Sequence, residues 1–546
     1  MSLDFDAIKS NIIPHKIEGF KYTYGTAGFR SKAEVLDSVM YKVAILATLR
    51  SKKLNGATIG VMITASHNPE EDNGVKLVDP RGEMLEQSWE GYATSLAVAN
   101  DGDALVQVIE QIIAANKIDI NIPASVIYAY DTRPSCAELV KCLELGLKVS
   151  GAKAVNHGLQ TTPILHYLVR CINTANTSDA YGEPTAEGYY KKLSEAFKTA
   201  VKGKARLSPL HVDCANGVGA PKLRELLEYM PEDVLSVKIV NEDINTKGQL
   251  NKNCGADFVK TQQRAPPTAD IHPGDRCCSF DGDADRIVYY YADKDSVFRL
   301  LDGDKIAGLA AMFIMELVKD AGIDSIKVGV VQTAYANGSS THYLTKVLNV
   351  PVSCVPTGVK HLHHEAEKYD IGVYFEANGH GTVLFSPTAL NTIKTSEAKT
   401  PAQNQALMQL RALTDLINQT VGDAISDMLL VETILTNRQW SLEEWDQAYT
   451  DLPNRLVKVV VADRHIFKTT NAERQLVEPA GLQAEIDANV AKYSNGRSFV
   501  RASGTEDAVR VYAEAATRSE TDELAYKIAQ IVYDRAGGVG ARPLMA

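Results

Sequence analysis

Apolar runs rich in β-branched residues alternate along this chain with polar loops and with segments of helical periodicity. Residues 59–63 lead into a loop with the sequence TASHNP, and residues 125–130 lead into DTRPS and then an apolar-periodic helix. The same succession recurs at 210–230 and at 327–348. Strands that alternate with helices in this way predict βαβ units and mostly parallel sheets. Ligand-binding loops in such folds lie at the carboxyl ends of the strands.

The last part of the chain departs from this pattern and predicts a small α+β domain. Two strand-like runs, RLVKVVVADR and SFVRASGTEDAVRVYAEA, are followed by a segment whose apolar residues have helical spacing. Ser519 is the expected N-cap of that helix. Two polar segments interrupt the earlier pattern, and we expect a linker over 172–190 and an exposed loop over 386–403.

Composition and charge narrow the class of protein. A chain of 546 residues is too long for a single hydrophobic core and predicts several domains. With 45% apolar and 23% charged residues, the composition is typical of soluble globular proteins. The net charge of −11 argues against nucleic-acid and membrane partners, because both usually bind basic patches.

The cysteines and the termini indicate a cytoplasmic protein. The eight cysteines lack the paired spacing of a zinc site, and Cys277 and Cys278 are adjacent, which suits neither an ordinary disulfide nor a metal site. We therefore expect reduced thiols. The N-terminal segment MSLDFDAIKS has no signal-peptide pattern, and the longest apolar stretch is too short to span a membrane.

The strongest chemical signal is the segment SFDGDADRIVYYY at 279–291. Asp281, Asp283 and Asp285 occupy alternate positions between two apolar runs. In an extended loop this spacing directs all three carboxylates to one side. Like charges repel, and a hard divalent cation is the simplest partner for three clustered carboxylates. The sequence therefore predicts a metal site in this loop.

An EF-hand, a phosphatase and a simple acidic turn all fit this loop less well. An EF-hand requires Gly at the sixth loop position and Glu at the twelfth, where this chain has Arg286 and Ala292. A phosphatase that uses Asp281 as its nucleophile would usually carry Thr or Val in place of Asp285, which weakens that alternative but leaves it open. An acidic turn without function is less favoured, because three carboxylates and an arginine lie between two strand-like runs.

The segment VRASGTEDAVRV at 500–511 has the composition of a phosphate site. Guanidinium forks, hydroxyl groups and an uncluttered glycine backbone suit a phosphate dianion. The segment contains no nucleophile–base pair, so we expect it to hold a phosphate rather than react with it. The candidate residues are Arg501, Ser503, Gly504, Thr505 and Arg510.

Two further loops carry candidate groups for a sugar phosphate. Glu376 and Asn378 follow an apolar strand and can exchange hydrogen bonds with sugar hydroxyls. His380 in the same loop is as compatible with a structural role as with a ligand-facing one. A polar loop in VPTGVK offers a second set of groups, which are Thr357, Gly358 and Lys360.

Ser66 in TASHNP lies at the end of a predicted buried strand. A cluster of Ser, Asn and Pro indicates by itself only a turn. The chain has no G-x-S-x-G motif, so a serine hydrolase is not supported. Arg30 in YGTAGFR and Lys76 in DNGVK are cationic residues on either side of this segment.

The segments YGTAGFR, TASHNP, DGDADR, PTGVK, EANGH and RASGTE occur in the chain order of the α-D-phosphohexomutase superfamily, which this chain resembles over nearly its whole length. Within it, the chain is most similar to the eukaryotic, fungal-type phosphoacetylglucosamine mutases. Three features favour that branch: Asn378 in place of the usual Ser, the segment GEPTAEGYYKKL, and the early position of the serine loop. Ala284 stands where many relatives have glycine, without an expected effect on the carboxylates.

The resemblance implies an α/β fold of four domains around a central cleft. Three domains are expected to be related α/β units with mixed sheets, and the fourth a smaller C-terminal α+β domain. In order, they are expected to carry the phosphoserine, metal-binding, sugar-binding and phosphate-binding loops. The implied ranges are 1–192, 193–302, 303–448 and 449–546.

The resemblance also implies the reaction. It is the interconversion of N-acetylglucosamine 6-phosphate and N-acetylglucosamine 1-phosphate through a phosphoserine and a 1,6-bisphosphate, in UDP-N-acetylglucosamine biosynthesis. Ser66 is the implied phosphoserine, a sugar 1,6-bisphosphate is the implied activator and intermediate, and a small phosphosugar is the implied substrate. One Mg²⁺ per active site is implied, with the ligands Ser66, Asp281, Asp283 and Asp285.

The resemblance assigns roles to the other candidates. The residues expected to stabilise the phosphoryl group or to transfer a proton are Arg30, His67, Lys76 and Lys360. The residues expected to bind the substrate are Thr357, Gly358, Glu376, Ala377, Asn378, Arg501, Ala502, Ser503, Gly504, Thr505 and Arg510.

Three alternatives stay open at this point. The nearest is the same chemistry on glucose or mannose phosphates, as in phosphoglucomutases and phosphomannomutases. A Mg²⁺-dependent sugar phosphatase would release inorganic phosphate and would not need Ser66. A phosphosugar-binding protein without catalysis would more naturally have lost Ser66 or the aspartates, and all of them are present.

Overall fold

Five β-sheets organise residues 3–503 and 507–545, the part of the chain that the computed structural model describes. The described strands are β1 Phe29–Lys32, β2 Thr58–Ile63, β3 Asp72–Val78, β4 Ser125–Tyr130, β5 Lys153–Leu159, β6 Leu210–Asp213, β7 Val237–Val240, β8 Arg276–Phe280, β9 Ile287–Ala292, β10 Phe298–Leu301, β11 Val328–Thr333, β12 Val352–Val355, β13 Ile371–Phe375, β14 Gly381–Phe385, β15 Asn454–Val460, β16 Lys468–Thr470, β17 Gln475–Glu478, β18 Arg497–Ala502 and β19 Ala508–Glu514.

Helices connect and cover these sheets. The described α-helices are α1 Phe5–Ser10, α2 Asp37–Lys53, α3 Glu90–Val98, α4 Gly102–Asn116, α5 Cys136–Val149, α6 Thr162–Thr174, α7 Ala186–Ala200, α8 Gly219–Leu227, α9 Ala256–Gln262, α10 Gly303–Asp320, α11 Gly338–His342, α12 Val359–Ala366, α13 Pro387–Thr395, α14 Pro401–Leu416, α15 Ala424–Arg438, α16 Leu442–Asp446, α17 Leu482–Val490 and α18 Arg518–Arg535. Within the described residues, none of these helices has the length and apolar character needed to cross a membrane.

The chain divides into two structural units. The first unit consists of Met1–Asp302, Asn378–Thr382 and Asn404–Leu442. The second unit consists of Gly303–Ala377, Val383–Gln403 and Glu443–Ala546.

The first two sheets share one pattern of strand pairing. In the first sheet, of order β1-β3-β2-β4-β5, strand β2 pairs antiparallel with β3 and parallel with β4. In the second sheet, of order β10-β9-β8-β6-β7, strand β8 pairs antiparallel with β9 and parallel with β6. Both sheets are mixed, so the prediction of mostly parallel sheets from the βα alternation was wrong: the connections 64–71 and 281–286 are too short for a parallel crossover, and they join antiparallel strands. Strands β2 and β8 hold equivalent positions.

The third sheet, of order β12-β11-β13-β14, places β13 in the same position, parallel to β11 and next to β14. The loops that follow β2, β8 and β13 contain Ser66, the three aspartates and Asn378 respectively. In the first sheet, β2 and β3 precede β4 and β5 along the chain. In the other two sheets the order is reversed, because β8 and β9 follow β6 and β7, and β13 and β14 follow β11 and β12. These three related α/β units confirm the expected fold class and place each functional loop at an equivalent strand end.

The C-terminal sheet is antiparallel throughout, in the order β15-β19-β18, and α17 and α18 pack against it. Its core contains Val459, Val511 and Ile528. The hairpin β16-β17 lies between β15 and α17 along the chain. This is the expected smaller α+β domain, the fourth of the protein.

Local expectations were wrong at two helix starts. Residues 386–403 are not one exposed loop, because α13 begins there with Ser386 as its N-cap and Pro387 in its first turn. A Ser-Pro pair is a helix-start signal, and it outweighs the polar composition that follows. The C-terminal helix α18 has Thr517 as its N-cap instead of Ser519. The expected linker over 172–190 is non-helical only between α6 and α7.

Candidate active site

Ser66 lies in the loop between β2 and β3 and is only 1% exposed. Its backbone is left-handed, with a φ of 51°, and non-glycine residues adopt this conformation only where the surroundings hold them there. The Ser66 N–H donates to Thr64 Oγ1 at 2.9 Å, and the Ser66 hydroxyl donates to Asp281 Oδ2 at 2.6 Å. The serine loop and the aspartate loop are therefore in direct contact.

Three buried carboxylates converge in the loop between β8 and β9, and we call Asp281, Asp283 and Asp285 the aspartate cluster. One oxygen of each lies within 4.8 Å of the others. The loop is a turn rather than the expected extended segment, because Ala284 N donates to Asp281 O at 3.1 Å and Ala284 has a φ of 57°. Asp281 Oδ1 also accepts from the N–H groups of Asp285 (3.1 Å) and Arg286 (3.2 Å). The carboxylates converge as expected, but through a turn.

Three cationic side chains surround the aspartate cluster. Lys76 Nζ lies 3.4 Å from Asp283 Oδ2 and 3.3 Å from Asp285 Oδ2. Arg286 Nε lies 3.8 Å from Asp281 Oδ2 and 3.8 Å from Asp285 Oδ1. Arg30 also interacts electrostatically with the cluster, and its Nη1 donates to Asn68 Oδ1 at 3.1 Å. The structure thus brings two predicted cations, Arg30 and Lys76, to the predicted metal loop.

The acids and cations shift one another's pKa values. Burial and the two neighbouring carboxylates raise the pKa of Asp281 well above its ordinary value. Burial also opposes ionisation of Asp285, but Lys76 and His380 hold the pKa of Asp285 well below its ordinary value. Burial disfavours the charged form of Lys76, yet attraction to the carboxylates raises the Lys76 pKa overall. The site therefore concentrates opposite charges in a region that excludes water.

His67, the neighbour of Ser66 in the chain, is a neutral imidazole. Burial and the cations Arg286, Arg30 and Lys76 lower the pKa of His67 to about 2. His67 Nδ1 is buried and has no hydrogen-bond partner within the described residues. A neutral imidazole in this position can exchange a hydrogen bond with a reacting oxygen but supplies no positive charge.

The aspartate cluster fits a hard divalent cation. Oδ1 of Asp283 and Oδ1 of Asp285 are buried and have no hydrogen-bond partner in the described part of the chain. Burying a carboxylate oxygen without a hydrogen bond is unfavourable, and metal coordination satisfies it. Mg²⁺ prefers carboxylate oxygens, and this cluster offers three of them.

The loop after β13 is divided between the two units. Glu376 and Ala377 belong to the second unit, and Asn378 belongs to the first. Asn378 Oδ1 accepts from His380 N at 3.0 Å, and His380 Nδ1 lies 2.8 Å from the backbone oxygen of Asp285. His380 therefore stabilises the aspartate loop. Of the two roles considered for His380, this is the structural one.

The predicted phosphate-binding loop lies in the second unit, between β18 and β19. Arg501 and Arg510 are opposite each other in these strands. Ala502 ends β18, and Ser503 N donates to Ala508 O at 2.8 Å where the hairpin closes. The described residues exclude the two others predicted for this loop, which are Gly504 and Thr505. Two guanidinium-bearing positions thus lie side by side near one end of this hairpin, an arrangement that suits phosphate binding.

A glutamate that the sequence did not single out joins two predicted substrate loops of the second unit. Thr357 and Gly358 precede α12, and Lys360, in its first turn, is 7% exposed. Thr357 N donates to Glu473 Oε2 at 2.9 Å, and Arg501 Nε donates to Glu473 Oε1 at 2.8 Å. Glu473 therefore holds the Thr357 loop and the Arg501 strand together.

Three further polar residues support the serine and aspartate loops of the first unit. Thr162 Oγ1 donates to Asp283 Oδ2 at 2.6 Å. Arg133 and Asn251 both donate to the backbone oxygen of Ser66. Arg133 follows a predicted strand in DTRPS, so its position at a strand end was a usable signal. Thr162 and Asn251 belong to no motif that indicates this role.

Family profiles match four segments of the chain. Those described as phosphoacetylglucosamine mutase AMG1, domain II and domain III, match residues 182–288 and 302–440. Those described as phosphoglucomutase/phosphomannomutase, alpha/beta/alpha domain I and C-terminal domain, match residues 31–92 and 456–531.

Similar proteins extend over the whole chain. A phosphoacetylglucosamine mutase from Sus scrofa is 52% identical over 99% of each sequence. The crystal structure of Aspergillus fumigatus N-acetylphosphoglucosamine mutase in complex with GlcNAc-6P and magnesium is 57% identical, with a TM-score of 0.93 over 97% of this chain and 98% of that one. A serine-to-alanine variant of the Aspergillus enzyme in complex with glucose 1,6-bisphosphate is 57% identical, with a TM-score of 0.94 over 98% and 99% of the two chains.

Proposed function

The chain belongs to the phosphoacetylglucosamine mutase family, and on that premise we propose how its residues carry out the reaction. The protein is an isomerase of the α-D-phosphohexomutase superfamily that interconverts N-acetylglucosamine 6-phosphate and N-acetylglucosamine 1-phosphate. Its substrate is a small phosphosugar.

One contact carries the assignment of the nucleophile: the Ser66 hydroxyl donates to Asp281 Oδ2 at 2.6 Å within the buried cluster of acids and cations. A serine hydroxyl accepts and returns a phosphoryl group only when its surroundings stabilise the charge of that group. Ser66 is the serine that meets this condition here, and it carries the phosphoryl group between the two sugar positions.

The reaction has two halves. In the first, the C1 hydroxyl oxygen of the 6-phosphate sugar attacks the phosphorus on Ser66, the bond to Ser66 Oγ breaks, and a sugar 1,6-bisphosphate forms. In the second, Ser66 Oγ attacks the phosphorus at C6, and the C6 oxygen leaves with a proton. The proton lost at C1 is balanced by the proton gained at C6, and phosphoserine is regenerated.

The cofactor is Mg²⁺, one per active site, and a sugar 1,6-bisphosphate is both intermediate and activator. The aspartate cluster and the oxygen of Ser66 hold the metal, which, when bound, neutralises charge on the phosphoryl oxygens. The 1,6-bisphosphate primes the enzyme because it phosphorylates Ser66 before the first turnover.

The local charge balance supports a phosphoserine at this position. Three carboxylates face three cations, Lys76, Arg286 and Arg30, so acidic and basic groups are equal in number around the cluster. A phosphoserine adds roughly two negative charges, and one divalent cation offsets them. Lys76 and Arg30 stabilise the transferring phosphoryl group, and His67 exchanges a hydrogen bond with it.

Residues outside the aspartate cluster hold the parts of the sugar phosphate that do not react. Arg501 and Arg510 grip the phosphate at the other end of the sugar, together with Ala502, Ser503, Gly504 and Thr505. A second group contacts the sugar and its phosphate, and its members are Thr357, Gly358, Glu376, Ala377 and Asn378. Lys360 is a further candidate for stabilising the phosphoryl group or transferring a proton. The amide of Asn378 suits the acetamido group, which distinguishes this substrate from glucose and mannose phosphates.

The four domains have the ranges 1–192, 193–302, 303–448 and 449–546, and each contributes one functional loop. The profile matches at 31–92, 302–440 and 456–531 support three of these ranges, whereas the match at 182–288 begins inside the first range. We place the protein in the cytoplasm, in keeping with its eight free cysteines.

A substrate comparison tests the proposal. The Mg²⁺-loaded enzyme is primed with the matching 1,6-bisphosphates and assayed with N-acetylglucosamine 6-phosphate, glucose 6-phosphate and mannose 6-phosphate, following the 1-phosphate and free phosphate. We expect a clear preference for the acetylated sugar and no turnover by Ser66→Ala. A preference for glucose or mannose phosphate would contradict the role of Asn378. Free phosphate as the main product would contradict the mutase mechanism.

A further inference from the structure

Arg133 lies at the start of the loop after β4, and its side chain reaches into the serine loop. It is 2% exposed, and Arg133 Nε donates to Asp131 Oδ2 at 3.1 Å. A guanidinium group has five N–H donors in one plane. The remaining four are directed at the loop that contains Ser66.

Those four donors bind four backbone oxygens of the serine loop. Arg133 Nη2 donates to Ser66 O and Asn68 O, both at 2.9 Å. Arg133 Nη1 donates to Pro69 O at 2.5 Å and to Asp72 O at 2.8 Å. One buried side chain thus fixes the main chain from the nucleophile to the beginning of β3.

A second side chain, which belongs to the second α/β domain, binds two of the same backbone oxygens. Asn251 Nδ2 donates to Ser66 O at 2.9 Å and to Asn68 O at 3.0 Å. The metal loop also closes on this point, because a Cβ on Gly282 would lie 2.6 Å from Ser66 O. The Ser66 carbonyl is therefore held from two sides, with no room for the loop to shift toward the aspartates.

The equivalent loop of the second sheet lacks such a clamp among the described residues. After β6, which corresponds to β4, the contact with the aspartate loop is a backbone hydrogen bond from Val218 N to Gly282 O at 3.1 Å. The guanidinium clamp thus acts on the loop that contains Ser66, whose backbone is left-handed with a φ of 51°.

We propose that Arg133 is the positioning residue of the phosphoserine loop, with Asn251 as a second anchor, and that together they hold Ser66 Oγ at the aspartate cluster. Arg133 does not touch the substrate or the metal in this role. The inference rests on the proposed function of Ser66 and adds the residues that hold the Ser66 side chain in position. Loss of the clamp lets the loop relax and misplaces Oγ, while the sugar-phosphate contacts elsewhere stay intact.

The test uses the full-length enzyme with Mg²⁺ and the variants Arg133→Lys, Asn251→Ala and Arg50→Lys. Arg50 is a matched control, because it is a buried arginine of the same α/β unit, paired with Asp79 and Glu86 away from the serine loop. Two quantities are measured: the rate at which glucose 1,6-bisphosphate phosphorylates Ser66, followed by intact mass, and kcat and KM with N-acetylglucosamine 6-phosphate. Circular dichroism and thermal melts confirm folding.

Arg133→Lys keeps the charge but cannot form the planar set of hydrogen bonds that the guanidinium makes to the serine loop. We therefore expect the rate of Ser66 phosphorylation and kcat to fall at least about 10-fold, with KM changed by less than about 3-fold. Asn251→Ala should slow both by about 3- to 10-fold, since it removes two hydrogen bonds. Arg50→Lys should keep both within about 2-fold.

Folded Arg133→Lys with native loading and kcat would overturn the inference, as would a loss confined to KM. If Arg133→Lys does not fold, Asn251→Ala decides, and native loading in that variant would overturn it. Absence of Ser66 loading in the native enzyme would instead contradict the proposed function, so the two failures are distinguishable.

Discussion

The contact between Glu473 and two predicted substrate loops makes a quantitative prediction for Glu473→Gln. Burial disfavours the ionised carboxylate, but hydrogen bonds from Thr357 and Arg501 outweigh this and lower the pKa of Glu473. Glu473 is therefore charged at neutral pH. Its carboxylate fixes the Arg501 guanidinium through Nε, and we propose that Arg501 grips the phosphate that does not react.

The size of the effect follows from the lost interaction. Glutamine keeps one acceptor oxygen but turns an NH₂ group toward the second donor, so one charge-assisted hydrogen bond is lost. Such a bond contributes about 1.5–3 kcal/mol. The Glu473 and Arg501 side chains are 17% and 22% exposed, so solvent screening favours the lower part of that range. A loss of about 1.5–2 kcal/mol corresponds to an increase in KM of about 13- to 30-fold.

The assay compares kcat and KM for N-acetylglucosamine 6-phosphate in Glu473→Gln and in Glu478→Gln. Glu478 is a control from the same hairpin, where it forms an exposed ion pair with Lys468 at 2.9 Å, so its loss should leave KM unchanged. For Glu473→Gln, kcat should stay within about 3-fold, because Glu473 binds Thr357 and Arg501 rather than Ser66 or the aspartate cluster. A lower KM would refute the reasoning, since it would mean that the carboxylate competes with the phosphate for Arg501.

Three further results are expected. Removal of divalent metal with a chelator should abolish turnover, and added Mg²⁺ should restore it; activity in the metal-free enzyme would contradict the proposed role of the aspartate cluster. Gly379→Ala should reduce activity strongly, because Gly379 has a φ of 89° and a Cβ there would lie 1.9 Å from Ile287 O; native kinetics in this variant would show that the loop tolerates displacement. Glu432→Gln should lower the free energy of unfolding by about 3 kcal/mol, because it leaves the buried Arg276 guanidinium without its charged partner at 2.5 Å; an unchanged thermal melt would contradict this.

Local patterns predicted α/β units and marked the loops with distinctive composition. The four related domains with mixed sheets followed only from the family resemblance, because the βα alternation alone predicted mostly parallel sheets. The clustered aspartates indicated a convergent acidic site without any structure. Ser66 was different, because its segment indicated only a turn until it was taken together with the other segments. The structure supplies the missing physical reason, which is the contact between Ser66 Oγ and Asp281 across 215 positions of sequence.

The supporting residues were not predictable from local patterns because their partners are distant in sequence. Asn251 lies 185 positions from Ser66, and Glu473 lies 116 positions from Thr357. Their roles depend on backbone carbonyl and N–H groups, which nearly every residue has and which therefore leave no mark on the sequence. The aspartate loop shows a related limit. The alternate spacing correctly predicted that the three carboxylates converge, but it assumed an extended segment. The residue type of Ala284 does not indicate the left-handed backbone that forms the turn.

The most direct test of the account is the mass of the peptide that contains Ser66 after incubation with glucose 1,6-bisphosphate and Mg²⁺. We predict one phosphoryl group on Ser66, which excess N-acetylglucosamine 6-phosphate then removes as sugar bisphosphate. A phosphoryl group on another residue, or one on Ser66 that the substrate does not remove, would contradict the claim that Ser66 carries the phosphoryl group between the two positions of the sugar.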